Sequence, residues 1–282
     1  MSRQSGPTSR RTQVAIRLIV LTFLAAVMVA PFAYMVITSF KPNRLALEWP
    51  PSFWPNPATT ANYAGAWGDN DFARFFVNSL LVALVTTFST TVLAAMAAYA
   101  FARFRFPGRS LAFWTMMLGL MVPGVMILVP QFVLARQLHL TDSLSGLVVF
   151  YVGGGLAFNT FLIRGFFEGL PVELDEAMTI DGAGSVRRFF ALYLPLSRPA
   201  LATSAVFGFL GAWDEYSWAL TTISDPAKQT LPLAIARFQG QHATSWGLVF
   251  AASIVAMIPV VLIYVLGQRH FITGLTSGAV KS

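Results

Sequence analysis

Hydrophobic residues gather in six long stretches, near 15–39, 77–102, 111–135, 145–168, 200–220 and 248–268, separated by shorter polar segments. A helix needs about 20 apolar residues to cross a hydrocarbon core, so the pattern predicts an all-α membrane protein with six transmembrane helices. The first stretch is longer than the roughly 7–15-residue core of a signal peptide and no A-x-A-like site follows, which predicts a retained helix. The fifth is the least regular, because Asp214 and Glu215 fall inside it. Pro123 and Pro130 are expected to kink the third span and Pro259 the sixth. Gly153, Gly154 and Gly155 predict close helix approach in the fourth.

One polar segment stands apart. Residues 171–199 read PVELDEAMTIDGAGSVRRFFALYLPLSRP and hold four of the twelve acidic residues, Glu173, Asp175, Glu176 and Asp181, with Arg187, Arg188 and Arg198. Pro171 suits a first helical turn, and the carboxylates after it sit at the positive end of a helix dipole. Leu174, Ala177, Met178 and Asp181 then share one helix face. Asp181-Gly182 and Gly184 are turn residues, and Ser185 is expected to cap a second short helix. In that helix Val186, Phe189, Phe190, Tyr193 and Leu194 form an apolar stripe, ended by Pro195 and Pro199. The segment reads as helix–turn–helix, with a stripe free to enter a groove on a partner.

Composition narrows the class. The chain is 56% hydrophobic and 11% charged, far below the roughly 25% charge of soluble domains. Its pI of about 10.1 and net charge of +7 come from basic residues at span ends, with no basic–aromatic patch, which points to membrane flanks and to no nucleic acid. Disulfides and thiolate metal sites are excluded by the absence of cysteine. His139, His242 and His270 lack metal-ligand spacing, so no metal is expected.

Six spans put both termini on one side, and thirteen Lys and Arg fall on that side against six on the other, which predicts cytoplasmic termini. The segment 171–199 and the loop FARFRFPGRS at 101–110 are then cytoplasmic. The loops 40–76 and 221–247 are external, and their tryptophans are expected to act as interfacial anchors in membrane lipid. The organisation expected is a tail at 1–14, disordered at its start, a transmembrane domain at 15–270 and a tail at 271–282.

Residues 173–195, ELDEAMTIDGAGSVRRFFALYLP, resemble the EAA loop of the integral membrane subunits of bacterial binding-protein-dependent ABC importers. Glu176, Ala177, Asp181, Gly182, Ala183, Phe189, Leu194 and Pro195 match its pattern, while Met178 replaces a usual alanine. SFKP at 39–42, ANYAGAW at 61–67, AAYAFARFRFPGR at 97–109, FLIRGFF at 161–167 and QRHFITGLTSGAVKS at 268–282 are similar to the maltose-type, MalG-like carbohydrate branch.

The resemblance implies a type I ABC importer permease fold in the bacterial inner membrane. It implies a second permease subunit, usually a different chain, two cytoplasmic ATPase subunits and an extracytoplasmic solute-binding protein. Glu173, Glu176, Ala177, Asp181, Gly182, Ala183 and Phe189 would dock the ATPase. Gly274, Leu275, Thr276, Gly278 and Lys281 would add tail contacts. ATP and Mg would be used by the partner, because no G-x-x-x-x-G-K-[ST] precedes any of the three lysines here. This chain is expected to bind no cofactor and to be no enzyme.

The polar residues inside the spans are candidates for the solute path. Charge in lipid costs about 2.5 kcal/mol or more per residue, so Asp214 and Glu215 should face protein or water. Trp213 and Tyr216 beside them, and Asn159 in the fourth span, complete the candidate set. An acid–base pair is disfavoured, since adjacent helical residues point about 100° apart. The solute expected is a sugar or oligosaccharide. The alternatives are a glycerol phosphate or polyol, or an ion-coupled carrier, which would leave the 171–199 loop without a purpose.

Overall fold

The computed structural model describes residues 7–69, 71–239 and 244–279, with side chains at 13–68, 71–239 and 244–268. Helices carry the regular structure, and among the described residues the only β pairing is a bridge between Gln239 and Thr244. The chain divides into two units, one from residues 1–71 with 235–255, the other from 72–234 with 256–282.

The first unit contains α1 (Pro7–Ser39) and α2 (Ala61–Asp69). Apolar side chains of α1 stand exposed, as a lipid-facing helix requires. Below them Lys41 is buried, with its ammonium 2.6 Å from the Ser52 carbonyl and 3.8 Å from the Glu48 carboxylate. The Asn62 amide donates to the carbonyls of Ser39 (2.7 Å) and Lys41 (2.8 Å), closing the chain over this cation. Burying a charge is tolerable only with such partners. Trp49 and Trp54, in the loop between, point outward.

The second unit is organised on α3 (Phe72–Arg103). It continues through α4 (Arg109–Leu118), α5 (Gly124–Gln137), α6 (Leu144–Glu168), α7 (Val172–Ile180) and α8 (Ser185–Arg188). A π turn over Phe189–Tyr193 leads to α9 (Leu194–Leu196), α10 (Arg198–Trp213) and α11 (Ser217–Thr222). Two further helices, α12 (Leu231–Arg237) and α13 (Trp246–Ala279), have residues in both units.

Long helix α3 packs along α6 and α10 through small residues. Ala94, Ala95 and Ala98 are buried in a cluster with Tyr99, Ile163 and Phe167. A Cβ on Gly208 would stand 3.5 Å from the Thr87 Cα, and one on Gly155 would stand 3.3 Å from the Thr90 methyl. Of the three consecutive glycines, Gly155 alone is at a helix contact, because a Cβ on Gly153 or Gly154 would meet nothing.

The apolar stretches and the helices agree in part. Among the described residues, four helical segments are long and apolar enough to cross a membrane: Gln13–Ser39, Phe72–Arg103, Leu144–Glu168 and Trp246–Gln268. The stretch at 111–135 is two helices, Arg109–Met121 and Gly124–Gln137, bent by 108°. Pro123 causes the break, since it removes an N–H and holds Val122 extended (ψ 119°). Pro130 and Pro259, expected to kink their spans, lie inside continuous helices. The stretch at 200–220 is divided between α10 and α11, and α10 has 16 residues. At about 1.5 Å per residue that helix is shorter than a hydrocarbon core of about 30 Å.

Candidate functional site

The segment 171–199 folds as a bracket on the end of α3 and α6. Pro171 is the N-cap of α7, and Glu173 and Asp175 occupy its first turn. The helix closes in a Schellman motif. The N–H of Ala183 donates to the Met178 carbonyl (2.9 Å) and that of Gly182 to Thr179 (3.0 Å), with Gly182 at φ 76°. Only glycine adopts that φ without strain.

The second helix differs from its sequence pattern. Gly184 is its N-cap and Ser185, expected to cap it, makes no capping bond. Ser185 instead offers its carbonyl to the Tyr99 hydroxyl, 3.1 Å away. Pro195 lacks an N–H, and the turn before it widens to π geometry with the Leu194 N–H reaching back to Phe189. The stripe is thereby split. Phe189 and Tyr193 are buried, whereas Val186 and Phe190 are exposed.

Side chains outside the expected site set hold this bracket. Arg188 Nη1 donates to Asp175 Oδ2 at 2.8 Å and to Thr179 Oγ1 at 3.0 Å, joining α8 to α7. Arg103, at the end of α3, donates to the carbonyls of Phe167 (2.8 Å) and Leu170 (3.0 Å), and its guanidinium lies 5.2 Å from the Tyr193 ring. Tyr99 packs 4.8 Å from Tyr193 and 5.2 Å from Phe189 between ring centroids. Burial first, and the Asp175 carboxylate beside it, raise the Tyr193 phenol above its ordinary value, so it stays neutral. The spacing Asp175–Arg188 crosses a turn, which is why helical periodicity on either side does not reveal it.

The inner side of the bracket is thus committed to α3 and α6, and its outer side is free. Glu173, Glu176, Ala177, Asp181 and Gly182 are exposed, while Ala183 and Phe189 lie inside and support them. Ile180, at 87% exposure, sits with Val186 and Phe190 among the exposed apolar side chains of the same segment. Of the tail residues, Gly274, Leu275, Thr276 and Gly278 belong to the helical backbone of α13, with side chains outside the described residues, as is the whole of Lys281.

A second feature is a cavity of about 970 Å³ among α3, α4, α5, α6, α10 and α11. Thr90, Gln131, Tyr151, Asn159, Glu215 and Trp218 are among its lining, and no Lys or Arg is. Asn159 donates to the Gly155 carbonyl (2.8 Å) and accepts from Ser204 Oγ (2.7 Å), tying α6 to α10. Glu215 is the structural cap of α11: it accepts from the N–H groups of Trp218 (2.7 Å) and Ala219 (3.1 Å) and from the Tyr151 hydroxyl (2.6 Å). Trp213, Asp214 and Tyr216 are absent from the lining. Trp213 stacks on Phe209 at 5.4 Å and donates to the Ala256 carbonyl (3.1 Å), while Asp214 and Tyr216 are exposed.

Elsewhere in this unit, Asp142 fastens the α5–α6 connection to the segment after α11. Its carboxylate accepts from the N–H groups of Asp225 (2.9 Å) and Ser224 (3.0 Å), and Lys228 lies 3.5 Å away. The Asp225 N–H first, then Ser224 and Lys228, hold this carboxyl below its ordinary 3.8. A depressed folded value contributes stability above the unfolded value, and that contribution disappears as pH falls through the folded value. Melting curves of wild type and Asp142→Asn in detergent are therefore expected to differ near neutrality and to begin converging only as pH falls below the unfolded carboxyl value of about 3.9, toward the depressed folded value. A constant difference down to pH 3 would remove this assignment.

Residues 90–276 match the family described as binding-protein-dependent transport system inner membrane component. The chain belongs to that family. It is 33% identical over 280 residues to the diacetylchitobiose uptake system permease protein NgcG of Streptomyces coelicolor, covering 99% of this chain and 92% of the relative. It is 34% identical over 251 residues to the sulfoquinovosyl glycerol transport system permease protein SmoH of Agrobacterium fabrum, covering 89% and 88%. Its fold matches the crystal structure of a bacterial ABC transporter involved in import of the acidic polysaccharide alginate, with TM-score 0.81, 21% identity and coverage of 96% of this chain and all of that one. The protein is accordingly a multi-pass inner-membrane transport component, and the bent and divided spans belong to a permease fold.

Proposed function

We propose that this chain is a sugar or oligosaccharide permease subunit, driven by a separate ATPase through the 171–199 segment. The observation that carries the reading is the two-sided bracket. Its inner side is bonded to α3 and α6 through Tyr99, Arg103 and Phe167, and its outer side presents Glu173, Glu176, Ala177 and a bare Ile180. A short helix with exposed carboxylates and an apolar edge suits helix-in-groove recognition. ATP and Mg belong to that ATPase, because this chain lacks a phosphate-binding loop. Both termini and the bracket lie in the cytoplasm, the side richer in Lys and Arg. The α13 end, Gly274 to Gly278, with Lys281, adds a second contact to the ATPases.

A second permease completes the solute path, and a binding protein delivers the solute from outside. The cavity favours an uncharged sugar over a phosphate ester. Its lining offers Thr, Gln, Asn and aromatic side chains but no cation, and a phosphate would call for Arg or Lys.

The test is Glu176→Lys and Gly182→Ala in the assembled transporter. Both are expected to abolish most uptake and weaken ATPase association by about 2 kcal/mol, roughly thirtyfold, with the chain still folded in the membrane. Unchanged ATP-dependent uptake in both would sink the docking role.

A further inference from the structure

A cavity of about 290 Å³ lies between the start of α4 and the last turns of α6, lined by Arg109, Ser110, Phe113, Trp114, Arg164 and Glu168 among others. It has no part in the docking bracket or the solute path. Arg164 Nε donates to Glu168 Oε1 (2.8 Å), and its guanidinium carbon lies 3.8 Å from the Phe113 ring centroid. The pairing neutralises Glu168, and stacking on the ring holds the rest of the guanidinium fork in one plane. Arg109 Nη1 is held by the Phe104 carbonyl at 3.0 Å. An adjoining cavity of about 590 Å³ shares Arg109 and Ser110 and adds Arg105. The polar end of the site is net positive.

The other end is apolar and open. Leu111, Trp114 and Leu118 follow at i, i+3 and i+7 along α4 with exposures of 73%, 63% and 59%. Phe161 of α6 is also exposed, at 57%. Arg109 begins the apolar bent pair, and Arg164 lies one turn before the end of the span Leu144–Glu168. Cationic groups at span ends, an indole at the same level and an apolar strip leading away from them match one molecule with an anionic head and hydrocarbon tails. A soluble phosphate would use the arginines and leave the strip unexplained.

We propose that Arg109 and Arg164 hold the phosphate of an anionic phospholipid, with an acyl chain along Leu111, Trp114 and Leu118. The site fixes the α4–α6 junction to the membrane surface.

The experiment uses the assembled transporter in detergent, titrated with phosphatidylglycerol, phosphatidylcholine of the same chains, or inorganic phosphate, and read by native mass spectrometry and melting temperature. Phosphatidylglycerol is expected to remain bound and raise the melting temperature, and the other two to do neither. Arg109→Gln with Arg164→Gln is expected to weaken phosphatidylglycerol retention about tenfold. Ser110→Glu, at the exposed rim, is expected to weaken it while leaving the Arg164–Glu168 pair intact. Equal retention by all variants would mean non-specific annular lipid and overturn the site. An equal shift by inorganic phosphate would make it a soluble-anion site, and a photo-crosslinker at position 114 that captures the second permease instead of lipid would make it a subunit interface. Either result overturns the proposal.

Discussion

Replacing Gly146 by alanine is expected to prevent the protein from accumulating folded in the membrane. A Cβ at this position, in the first turn of α6, would stand 1.8 Å from the Leu140 carbonyl oxygen and 2.9 Å from its carbon. No rotamer change can relieve this, because the obstacle is backbone. That backbone is also fastened on both sides. The Leu140 N–H donates to the Ala135 carbonyl (2.8 Å), its carbonyl accepts from Ser143 Oγ (3.1 Å), and Ser143 Oγ caps the Gly146 N–H (3.0 Å). Overpacking against a fixed carbonyl is expected to cost about 3 kcal/mol or more. Gly153→Ala, seven residues along the same helix, is the control, because its added Cβ meets nothing. It is expected to change stability by no more than about 1 kcal/mol, in the stabilising direction. Fluorescence-detected gel filtration of both variants in detergent checks the contrast, and equal melting would refute it.

Removing one partner of the Asp175–Arg188 pair is expected to uncouple α7 from the half of the bracket that packs on the spans. The two side chains are 16% and 20% exposed and 2.8 Å apart. Arg188→Ala leaves a mostly buried carboxylate without its cation, at an expected cost of about 2 kcal/mol, below the range for full burial because some exposure remains. The outward residues Glu173 and Glu176 are unchanged, so under the proposed docking the ATPase is expected still to associate while uptake falls. Asp175→Asn with Arg188→Gln is expected to recover most of the stability, since no unpaired charge is left. Thermal melting with uptake in proteoliposomes separates the two readouts. Equal uptake by Arg188→Ala and wild type would exclude the pair from coupling.

Local chemistry made the first half of the bracket legible in the sequence. Pro171, the carboxylates after it and Asp181-Gly182 mark the ends of α7, and the helix runs between them with Gly182 at positive φ. The second half was legible only in part. A strict 3.6-residue period places Val186 and Phe190 with Phe189 and Tyr193, and the π turn before Pro195 turns the first two outward. The fifth stretch shows the same limit. Hydropathy averages across Trp213–Tyr216, while α10 ends at Trp213 and Glu215 caps the next helix with its own oxygens.

What the sequence determined by itself was the solvent and the ends. Apolar stretches, prolines, glycines and the placement of Arg and Lys act through local sterics and transfer free energy, so they can be read without knowing what packs on what. The tertiary structure decided the rest: that Asp175 meets Arg188 and that Tyr99 and Arg103 grip the bracket. It also made Glu215 a cap and Asn159 a tie between α6 and α10, and brought Arg109 into one cavity with Arg164. Apart from the local Glu215 cap, each of these joins groups well separated along the chain, and only the packed helices bring them together.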